Sequence, residues 1–256
     1  MIKIKNLEKS FGRKHVLCGI NLEVRDGETL VIIGSSGTGK SILLKHIVGL
    51  VKPTEGSITV DDIEITKCSA SELHGVQKRM GYVFQEAALF DSLTIEENVA
   101  FGLKTLTKIG EDEIKQRVTQ CLGMVGLKDV EQLKPSALSG GMKKRVGLAR
   151  AIAYQPQYIF YDEPTTGLDP IMSDAISDLI INLRKHLKIT SVVVTHDMKS
   201  AYKIADRIVM LYKGQVIFTG TPQETQKTDN AVVRQFVEGS SHGPIETERT
   251  FDMEEI

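Results

Sequence analysis

Long apolar runs are missing from this sequence. No apolar stretch approaches the roughly 18 residues that a helix needs to cross a bilayer. Residues 1–5 contain no apolar core of the length found in signal peptides. We therefore expect that any membrane span with which this chain works belongs to another protein.

Cysteine and net charge are also scarce. The three cysteines, Cys18, Cys68 and Cys121, are scattered, odd in number and without metal-ligand spacing, which favours a reduced, cytosolic compartment. The 32 lysines and arginines nearly balance 33 aspartates and glutamates, and the formal net charge is −1. That balance argues against the basic footprint of a nucleic-acid-binding protein. With 256 residues, the chain is long enough for one large domain, or for a domain with a subdomain and a tail.

A glycine-rich segment at residues 34–41 is the clearest positive signal. It fits the P-loop pattern G-x-x-x-x-G-K-[ST], and it follows an apolar run at residues 29–33 that is typical of a buried parallel strand. Small residues let several backbone N–H groups point at phosphate oxygens, while Lys40 can reach the outer phosphates and Ser41 can place its hydroxyl on Mg²⁺. The segment therefore predicts binding of ATP or GTP. Its residues are Gly34, Ser35, Ser36, Gly37, Thr38, Gly39, Lys40 and Ser41.

Two carboxylates end a second apolar run, at residues 158–161. At the carboxyl end of a parallel strand, Asp162 would face the crevice in which open α/β sheets bind ligands, and it could hold Mg²⁺ there. Glu163 could polarise an attacking water. In isolation, an acidic pair before the turn at Pro164 would be an ordinary solvated pair. The P-loop upstream favours the functional interpretation of both residues.

Three weaker signals stay open when they are taken one at a time. Ser139 is a good helix N-cap, and Gly140 and Gly141 would let a bulky anion approach the helix. His196 ends an apolar strand and could hydrogen-bond a terminal phosphate, and Gln85 ends another and could contact Mg²⁺ or the attacking water. The alternatives are an ordinary helix cap, a capped core histidine and a loop amide.

Periodicity divides the chain into parts. Alternating apolar residues near the start and a short strand pair around residues 58–65 predict half-buried strands. Residues 94–153 have mainly helical spacing, which predicts a helical subdomain at about residues 90–153, inserted into an α/β core. Residues 238–256 form an acidic extension that is either a disordered end or a tail anchored on a neighbouring subunit. Its apolar anchors would be Phe251, Met253 and Ile256.

The segment after the P-loop has helical spacing. This spacing is carried by Ile42, Leu43, Ile47 and Leu50.

Taken in order, these motifs resemble the ATPase subunit of ABC transporters, over residues 1 to about 237. The resemblance implies an α/β fold: a P-loop NTPase core with a mainly parallel sheet, an N-terminal antiparallel β subdomain and an inserted α-helical subdomain. It implies that residues 34–41 are Walker A, and that residues 139–141 are the signature sequence. It also implies the following roles: Phe11 stacks on adenine, Asp162 is the Walker B aspartate, Glu163 the catalytic glutamate, Asp169 the D-loop aspartate, and His196 the switch histidine.

The same resemblance implies partners and location. In this family two subunits lie head to tail, and each nucleotide lies between the P-loop of one and the signature helix of the other. We therefore expect ATP and Mg²⁺ as cofactors, a second copy of this subunit, and a separate integral membrane permease. The expected activity is ATP hydrolysis coupled to transport, at the cytoplasmic face of the inner membrane.

One departure from the family pattern points to a branch. The commoner signature has glutamine after the two glycines, whereas this chain has Met142. Residues 138–150, 84–94 and 167–171 are similar to the MlaF/Mkl branch, the ATPases of MCE-type lipid transporters. This similarity implies phospholipid as cargo, with an MCE-domain protein and a small regulatory subunit as further candidate partners. Two alternatives stay open: another cargo, such as an amino acid or a metal chelate, and a non-transport ABC ATPase that signals to a membrane partner.

Overall fold

A computed structural model describes residues 1–246 of the chain. A four-stranded antiparallel sheet lies near the amino terminus, in the order β2-β1-β4-β5. Ile2 of β1 lies opposite Val24 on one side and Val60 on the other, and all three side chains are buried. The strands of this sheet are β1 (Ile2–Phe11), β2 (Lys14–Val24), β4 (Glu55–Val60) and β5 (Ile63–Glu64).

A second sheet has six strands in the order β10-β9-β3-β8-β7-β6. All neighbours are parallel except β10 and β9, which form an antiparallel hairpin that turns at Lys213 and Gly214. Every residue of β3, β7 and β8 is buried, as expected for parallel strands covered on both faces. The strands are β3 (Thr29–Ile33), β6 (Met80–Val83), β7 (Tyr158–Asp162), β8 (Thr190–Val194), β9 (Arg207–Tyr212) and β10 (Gln215–Gly220).

Helices surround the second sheet, and several begin at the residues that their caps predict. Asp169 accepts hydrogen bonds from two backbone N–H groups of the helix that starts at Pro170, and Thr94 and Glu97 form a capping box. The helices are α1 (Lys40–Ile47), α2 (Ala70–Gln77), α3 (Ile95–Leu106), α4 (Glu111–Met124), α5 (Gly140–Ile152), α6 (Pro170–Leu187), α7 (Met198–Ile204), α8 (Pro222–Lys227) and α9 (Ala231–Glu238), with a 3-10 turn at Pro135–Ala137.

Two hydrophobic clusters pack against opposite faces of the parallel sheet. In β3, Leu30 and Ile32 join the cluster that includes α1 and the antiparallel sheet, whereas Val31 and Ile33 join the cluster formed with α3 to α7. This alternation follows from the period of two along a strand. The α/β fold class predicted from the sequence is confirmed by these two sheets and their helices.

Other expectations from the sequence have mixed outcomes. Helices do occupy much of residues 94–153, but the division into an inserted subdomain and a separate extension stays a prediction. The expectation that Leu50 extends α1 is wrong, because the helix ends at Ile47 and Leu50 is 58% exposed. Gly49 has φ 73°, and the N–H of Leu50 donates a hydrogen bond to Lys45 O, which closes the helix with a left-handed cap.

The proposed tail anchors lie outside the described residues. Within residues 1–246, no helix is long and apolar enough to cross a membrane.

Candidate functional site

The carboxyl ends of four neighbouring parallel strands bring the predicted site residues together. The P-loop follows β3, Asp162 ends β7, His196 follows β8, and Gln85 follows β6. Because these strands are adjacent and parallel in the order β3-β8-β7-β6, their carboxyl ends lie along one edge of the sheet. Open α/β sheets bind ligands at this edge.

The backbone of the P-loop requires glycine at particular points. Gly34 has φ 149°, and a Cβ added there would lie 2.3 Å from the carbonyl oxygen of Leu211. Gly39 has φ 98° and precedes the first residue of α1, so the chain can turn sharply into that helix. The turn leaves the N-terminus of α1, with its unpaired N–H groups and positive dipole end, beside the loop.

Lys40 is held inside the P-loop although its side chain carries a charge. Its Nζ donates to Gly34 O at 2.8 Å and to Ser35 O at 3.0 Å, and the residue is only 6% exposed. Burial lowers the pKa of the Lys40 ammonium, while the carboxylates of Glu163 and Asp162 act in the opposite direction. Lys40 Nζ lies 3.9 Å from Glu163 Oε1, so the cation and the acidic pair form one electrostatic cluster.

Oxygen donors converge at Asp162. Ser41 Oγ donates to Asp162 Oδ1 at 2.6 Å, and Tyr82 Oη donates to Asp162 Oδ2 at 3.0 Å. Burial, with the charge of Asp162, raises the pKa of the Tyr82 phenol, which therefore stays a donor. A carboxylate beside a hydroxyl at the head of a phosphate-binding loop suits Mg²⁺, which prefers oxygen ligands and is commonly bound by one or two carboxylates together with phosphate oxygens.

Glu163 is held by contacts on both its side chain and its backbone. His196 Nδ1 lies 2.9 Å from Glu163 Oε2, and Thr166 Oγ1 donates to the same oxygen at 3.1 Å. The backbone of Glu163 has φ 51°, an uncommon conformation for a residue with a side chain, and its N–H donates to Val194 O. The carboxylate is mostly buried, whereas the side chain of His196 is 54% exposed. The pair can therefore orient a water molecule that enters from the side of His196.

Gln85 lies at the predicted edge, but its side chain is exposed and not engaged. Within residues 1–246, no hydrogen bond joins the Gln85 side chain to Asp162 or Ser41. Its backbone carbonyl accepts a hydrogen bond from Lys144 Nζ at 2.6 Å, and the same ammonium lies 3.4 Å from Glu163 O. Burial lowers the pKa of Lys144, while the charges of Glu86 and Glu163 oppose that shift.

Sequence analysis missed Lys144 and Tyr82. A signal for Lys144 was available, because it lies three residues after Gly141 and four before Leu148 on the buried face of α5. A charged residue on such a face needs a specific partner. For Tyr82 the sequence carried no comparable signal, since a tyrosine in a strand usually packs as an apolar residue.

Phe11, the predicted adenine-stacking residue, lies beside the P-loop. The residue ends β1, is 50% exposed, and lines a cavity of about 340 Å³ with Gly37, Gly39 and Ser41. Lys9 Nζ lies 5.0 Å from the centroid of the Phe11 ring. The exposed ring can therefore stack on a planar base bound beside the loop.

The first predicted signature residue, Ser139, and the predicted D-loop aspartate, Asp169, cap the starts of two helices. Ser139 Oγ accepts a hydrogen bond from Met142 N at 3.3 Å, and Asp169 Oδ1 accepts two at 2.9 Å from the first turn of α6. The two helix starts are neighbours, because a Cβ on Gly141 would lie 2.7 Å from Met172 Cε. In the part of the chain that the structure describes, no hydrogen bond joins residues 139–141 to the P-loop.

Comparison with known proteins places this geometry among related molecules. The family model described as ABC transporter matches residues 17–166. The intermembrane phospholipid transport system ATP-binding protein MlaF of Haemophilus influenzae is 41% identical over 245 residues, which cover 96% of this chain and 93% of that protein. The probable ribonucleotide transport ATP-binding protein mkl of Mycobacterium leprae is 41% identical over 244 residues, or 95% of this chain and 70% of that protein.

A solved structure matches the same fold. It is a dimeric ATP-binding cassette in a post-hydrolysis state, bound to ADP and phosphate. The TM-score is 0.80 with 36% sequence identity, and the match covers 87% of this chain and 99% of the other.

Proposed function

This chain belongs to the ABC transporter family as an ATP-hydrolysing subunit, and we propose that it drives phospholipid transport through a separate membrane permease. Its membership of the family confirms the resemblance seen in its motifs. The observation that carries this proposal is the similarity to MlaF along almost the full length of both chains. The geometry adds support, because Lys40, Asp162 and Glu163 form a single electrostatic cluster at one sheet edge.

The nucleotide lies along the P-loop in this proposal. Phe11 stacks on adenine, and the backbone N–H groups of residues 34–41, with Lys40, bind the phosphates. Ser41 and Asp162 would hold Mg²⁺, with the exposed side-chain amide of Gln85 as a further candidate ligand. When it is bound, Mg²⁺ supplies positive charge that offsets the charge on the outer phosphates.

Hydrolysis depends on the pair formed by Glu163 and His196. The carboxylate of Glu163 orients the attacking water and accepts its proton as the water oxygen bonds to the terminal phosphorus atom. The bond from that phosphorus to the bridging oxygen breaks, and ADP leaves with that oxygen while phosphate is released. His196 and Thr166 both contact the Oε2 atom, so Oε1 is left to face the water. Lys40, which lies 3.9 Å from Oε1, stabilises the negative charge that spreads over the phosphate oxygens.

A second copy of the chain completes each site. Ser139, Gly140 and Gly141 have no hydrogen bond to the P-loop of their own chain within the described residues. They form a helix N-terminus suited to an anion, at which Ser139 and Gly140 are exposed and Gly141 is buried. Two copies placed head to tail would bring that helix of one copy onto the phosphates bound by the other. The solved cassette that is similar to this chain is dimeric, which supports this arrangement.

The permease binds at an apolar groove beside β6, the edge strand of the parallel sheet. Three aromatic side chains are exposed there: Phe84 at 37%, Phe90 at 43% and Phe101 at 47%. Ala88 also lines the groove, whereas Ala87 is only 1% exposed, so its side chain belongs to the core. The occupant is a short amphipathic helix of the permease, because exposed aromatic grooves accept such helices and a transporter subunit needs a partner that spans the bilayer. This contact holds the chain at the cytoplasmic face of the inner membrane.

Hydrogen bonds join the loop that lines the groove to α5, the helix that starts at the predicted signature residues. Arg150 of α5 donates from Nη2 to Ala87 O at 2.6 Å and from Nη1 to Ala88 O at 2.7 Å. Both alanines have positive φ, so the loop is held in a single unusual backbone shape. A helix seated in the groove would therefore push on the same element that carries Gly140 and Gly141.

A second candidate cargo comes from the name of a relative. The mkl protein is called a probable ribonucleotide transport ATP-binding protein, so a ribonucleotide is the second candidate cargo.

Purification of this chain from its native membrane in mild detergent separates the two candidates. Copurification of a polytopic permease, an MCE-domain protein, a small regulatory subunit and phospholipid supports lipid transport. Copurification of a permease with a solute-binding protein, and no phospholipid above the level of a mock purification, contradicts it.

A further inference from the structure

Both oxygens of the Asp162 carboxylate are engaged, and by different parts of the fold. Ser41, at the start of α1, donates to Oδ1 at 2.6 Å. Tyr82, on the edge strand β6, donates to Oδ2 at 3.0 Å. The Ser41 hydroxyl is itself a proposed metal ligand, whereas the Tyr82 hydroxyl, within residues 1–246, makes its hydrogen bond to the carboxylate alone. Tyr82 is therefore the residue that can fix the orientation of Asp162 without competing for the metal.

The ring of Tyr82 is well placed to keep its hydroxyl at that point. It is half-buried, and its centroid lies 4.5 Å from that of Phe84 at an interplanar angle of 45°. Its strand pairs in parallel with β7, with Tyr82 opposite Phe160, so the phenol reaches forward along the sheet to Asp162. The ring also lines the apolar groove, so apolar packing sets the position of the ring. The hydrogen bond to Asp162 sets the direction of its hydroxyl.

From this geometry we propose that Tyr82 is a positioning residue that holds Asp162 in its metal-binding orientation and so raises the affinity of the site for divalent cations. Groups that hydrogen-bond a ligating carboxylate fix its direction, and their loss typically costs about ten- to a hundredfold in metal affinity. The inference rests on the proposed role of Asp162 as a metal ligand.

A second tyrosine provides a matched control. Tyr154 lines the same groove, and its Oη donates at 2.6 Å to the carbonyl oxygen of Met80. Met80 lies on the same strand as Tyr82, so both phenols support β6, but only that of Tyr82 contacts a proposed metal ligand. Replacement of either tyrosine by phenylalanine removes one hydroxyl and keeps the ring.

The test measures Mn²⁺ binding directly, by electron paramagnetic resonance, to the full chain saturated with ADP, which is not turned over. The variants are Tyr82→Phe, Tyr154→Phe and Asp162→Asn. Each Mn²⁺ affinity is expressed relative to the ADP affinity of the same variant in EDTA, so that a general loosening of the site cancels. We expect Tyr82→Phe to weaken Mn²⁺ binding at least about fivefold more than Tyr154→Phe does.

The arms separate two kinds of failure. If Asp162→Asn weakens Mn²⁺ binding but Tyr82→Phe is within fivefold of Tyr154→Phe, the inference about Tyr82 is overturned and the metal role of Asp162 stands. If Asp162→Asn binds Mn²⁺ as the unaltered chain does, the metal role of Asp162 fails, and the inference about Tyr82 fails with it. Steady-state ATP hydrolysis adds a second readout: the half-saturating Mg²⁺ concentration rises in Tyr82→Phe, and kcat at saturating Mg²⁺ stays within about twofold.

Discussion

His196 Nδ1 lies 2.9 Å from Glu163 Oε2 and so joins the end of β8 to the end of β7 across the site. The same oxygen accepts a hydrogen bond from Thr166, and the backbone of Glu163 has the uncommon φ of 51°. Conformations of this kind persist where the surroundings impose them, and they cluster at functional sites. The contacts leave Glu163 Oε1 on the side of Lys40, where the outer phosphate is proposed to bind.

Replacement of Glu163 by glutamine tests its role as the group that activates water. The amide keeps the shape of the side chain but cannot accept a proton, so kcat should fall by about a hundredfold or more. ATP affinity should stay within a few fold, since Lys40 and the P-loop are unchanged. Glu113→Gln, at an exposed position on α4, is the control and should leave both quantities unaltered. Normal turnover in Glu163→Gln would remove this carboxylate from the mechanism.

Thr166→Ala tests whether the orientation of that carboxylate matters. The change deletes one of the two side-chain contacts to Oε2, and hydrogen bonds to charged groups contribute about 1.5–3 kcal/mol. We expect kcat to fall roughly tenfold while KM for ATP is little changed, because the contact lies behind the reacting carboxylate. Thr166→Ser, which keeps the hydroxyl, should restore most of the rate. An equal loss in the serine variant would point to packing instead of the hydrogen bond.

Cys121 predicts a specific dependence of stability on pH. Burial in α4 raises the pKa of this thiol from 9.0 to about 11. Because the folded pKa lies above the unfolded one, the associated stability is complete below pH 9 and is lost as the pH rises toward 11. A shift of this size corresponds to about 3 kcal/mol, so the free energy of unfolding should fall by up to that amount across this range.

The check for Cys121 is urea denaturation at several pH values. Cys121→Ala should lower stability at pH 7, through a small cavity, and reduce the decline between pH 9 and 11. The control is Cys68→Ala, because Cys68 is only partly buried. If the free energy of unfolding falls between pH 9 and 11 by the same amount in Cys121→Ala as in the unaltered chain, the Cys121 thiol does not cause that fall.

Phe101→Asp tests the proposed permease groove. A charge at this half-exposed position would be costly to cover with an apolar helix, so assembly with the permease should weaken by at least about tenfold. ATP hydrolysis by the isolated chain should be unchanged, since Phe101 lies on α3, away from the phosphate site. Met124→Asp, at an exposed position on α4 outside the groove, is the control. Equal effects of the two changes on assembly would argue against the groove.

Features governed by local physics could be predicted from the sequence. The run at residues 29–33 is typical of a covered strand, and Asp169 followed by Pro170 is typical of a helix start; the structure has both. The end of α1 could not be read from apolar spacing alone, because Gly49 in the left-handed region turns the chain before Leu50. The contacts of Tyr82 with Asp162, and of Lys144 with two distant carbonyls, depend on how separate elements pack.

Part of the proposed site could not be found within a single chain. Residues 139–141 have the chemistry of an anion-binding helix start, but the structure brings no phosphate-binding group of the same chain to them in the described region. Their partner depends on a second copy, and no pattern in one sequence can fix that geometry. The family resemblance supplied this expectation, since the residues alone were equally compatible with an ordinary helix cap.

Complementation between two inactive variants tests the two-copy site most directly. One variant, Lys40→Ala, lacks the phosphate-binding ammonium, and the other, Gly140→Asp, places a negative charge at an exposed helix start where a Cβ meets no neighbour within 4 Å. The aspartate should not unfold the chain, because a negative charge interacts favourably with the positive dipole end of α5. It should, however, repel the phosphates bound by a partner. Gly140→Ala serves as the control for the added side chain.

If each ATP is hydrolysed between two copies, a mixed dimer has one intact site, made from the P-loop of the Gly140→Asp copy and the helix start of the Lys40→Ala copy. An equal mixture of the two inactive variants should then recover up to about a quarter of the normal ATPase rate, because half of the dimers are mixed and each has one of two sites. A mixture no more active than its separate components, with mixed dimers shown to form, would contradict the two-copy site.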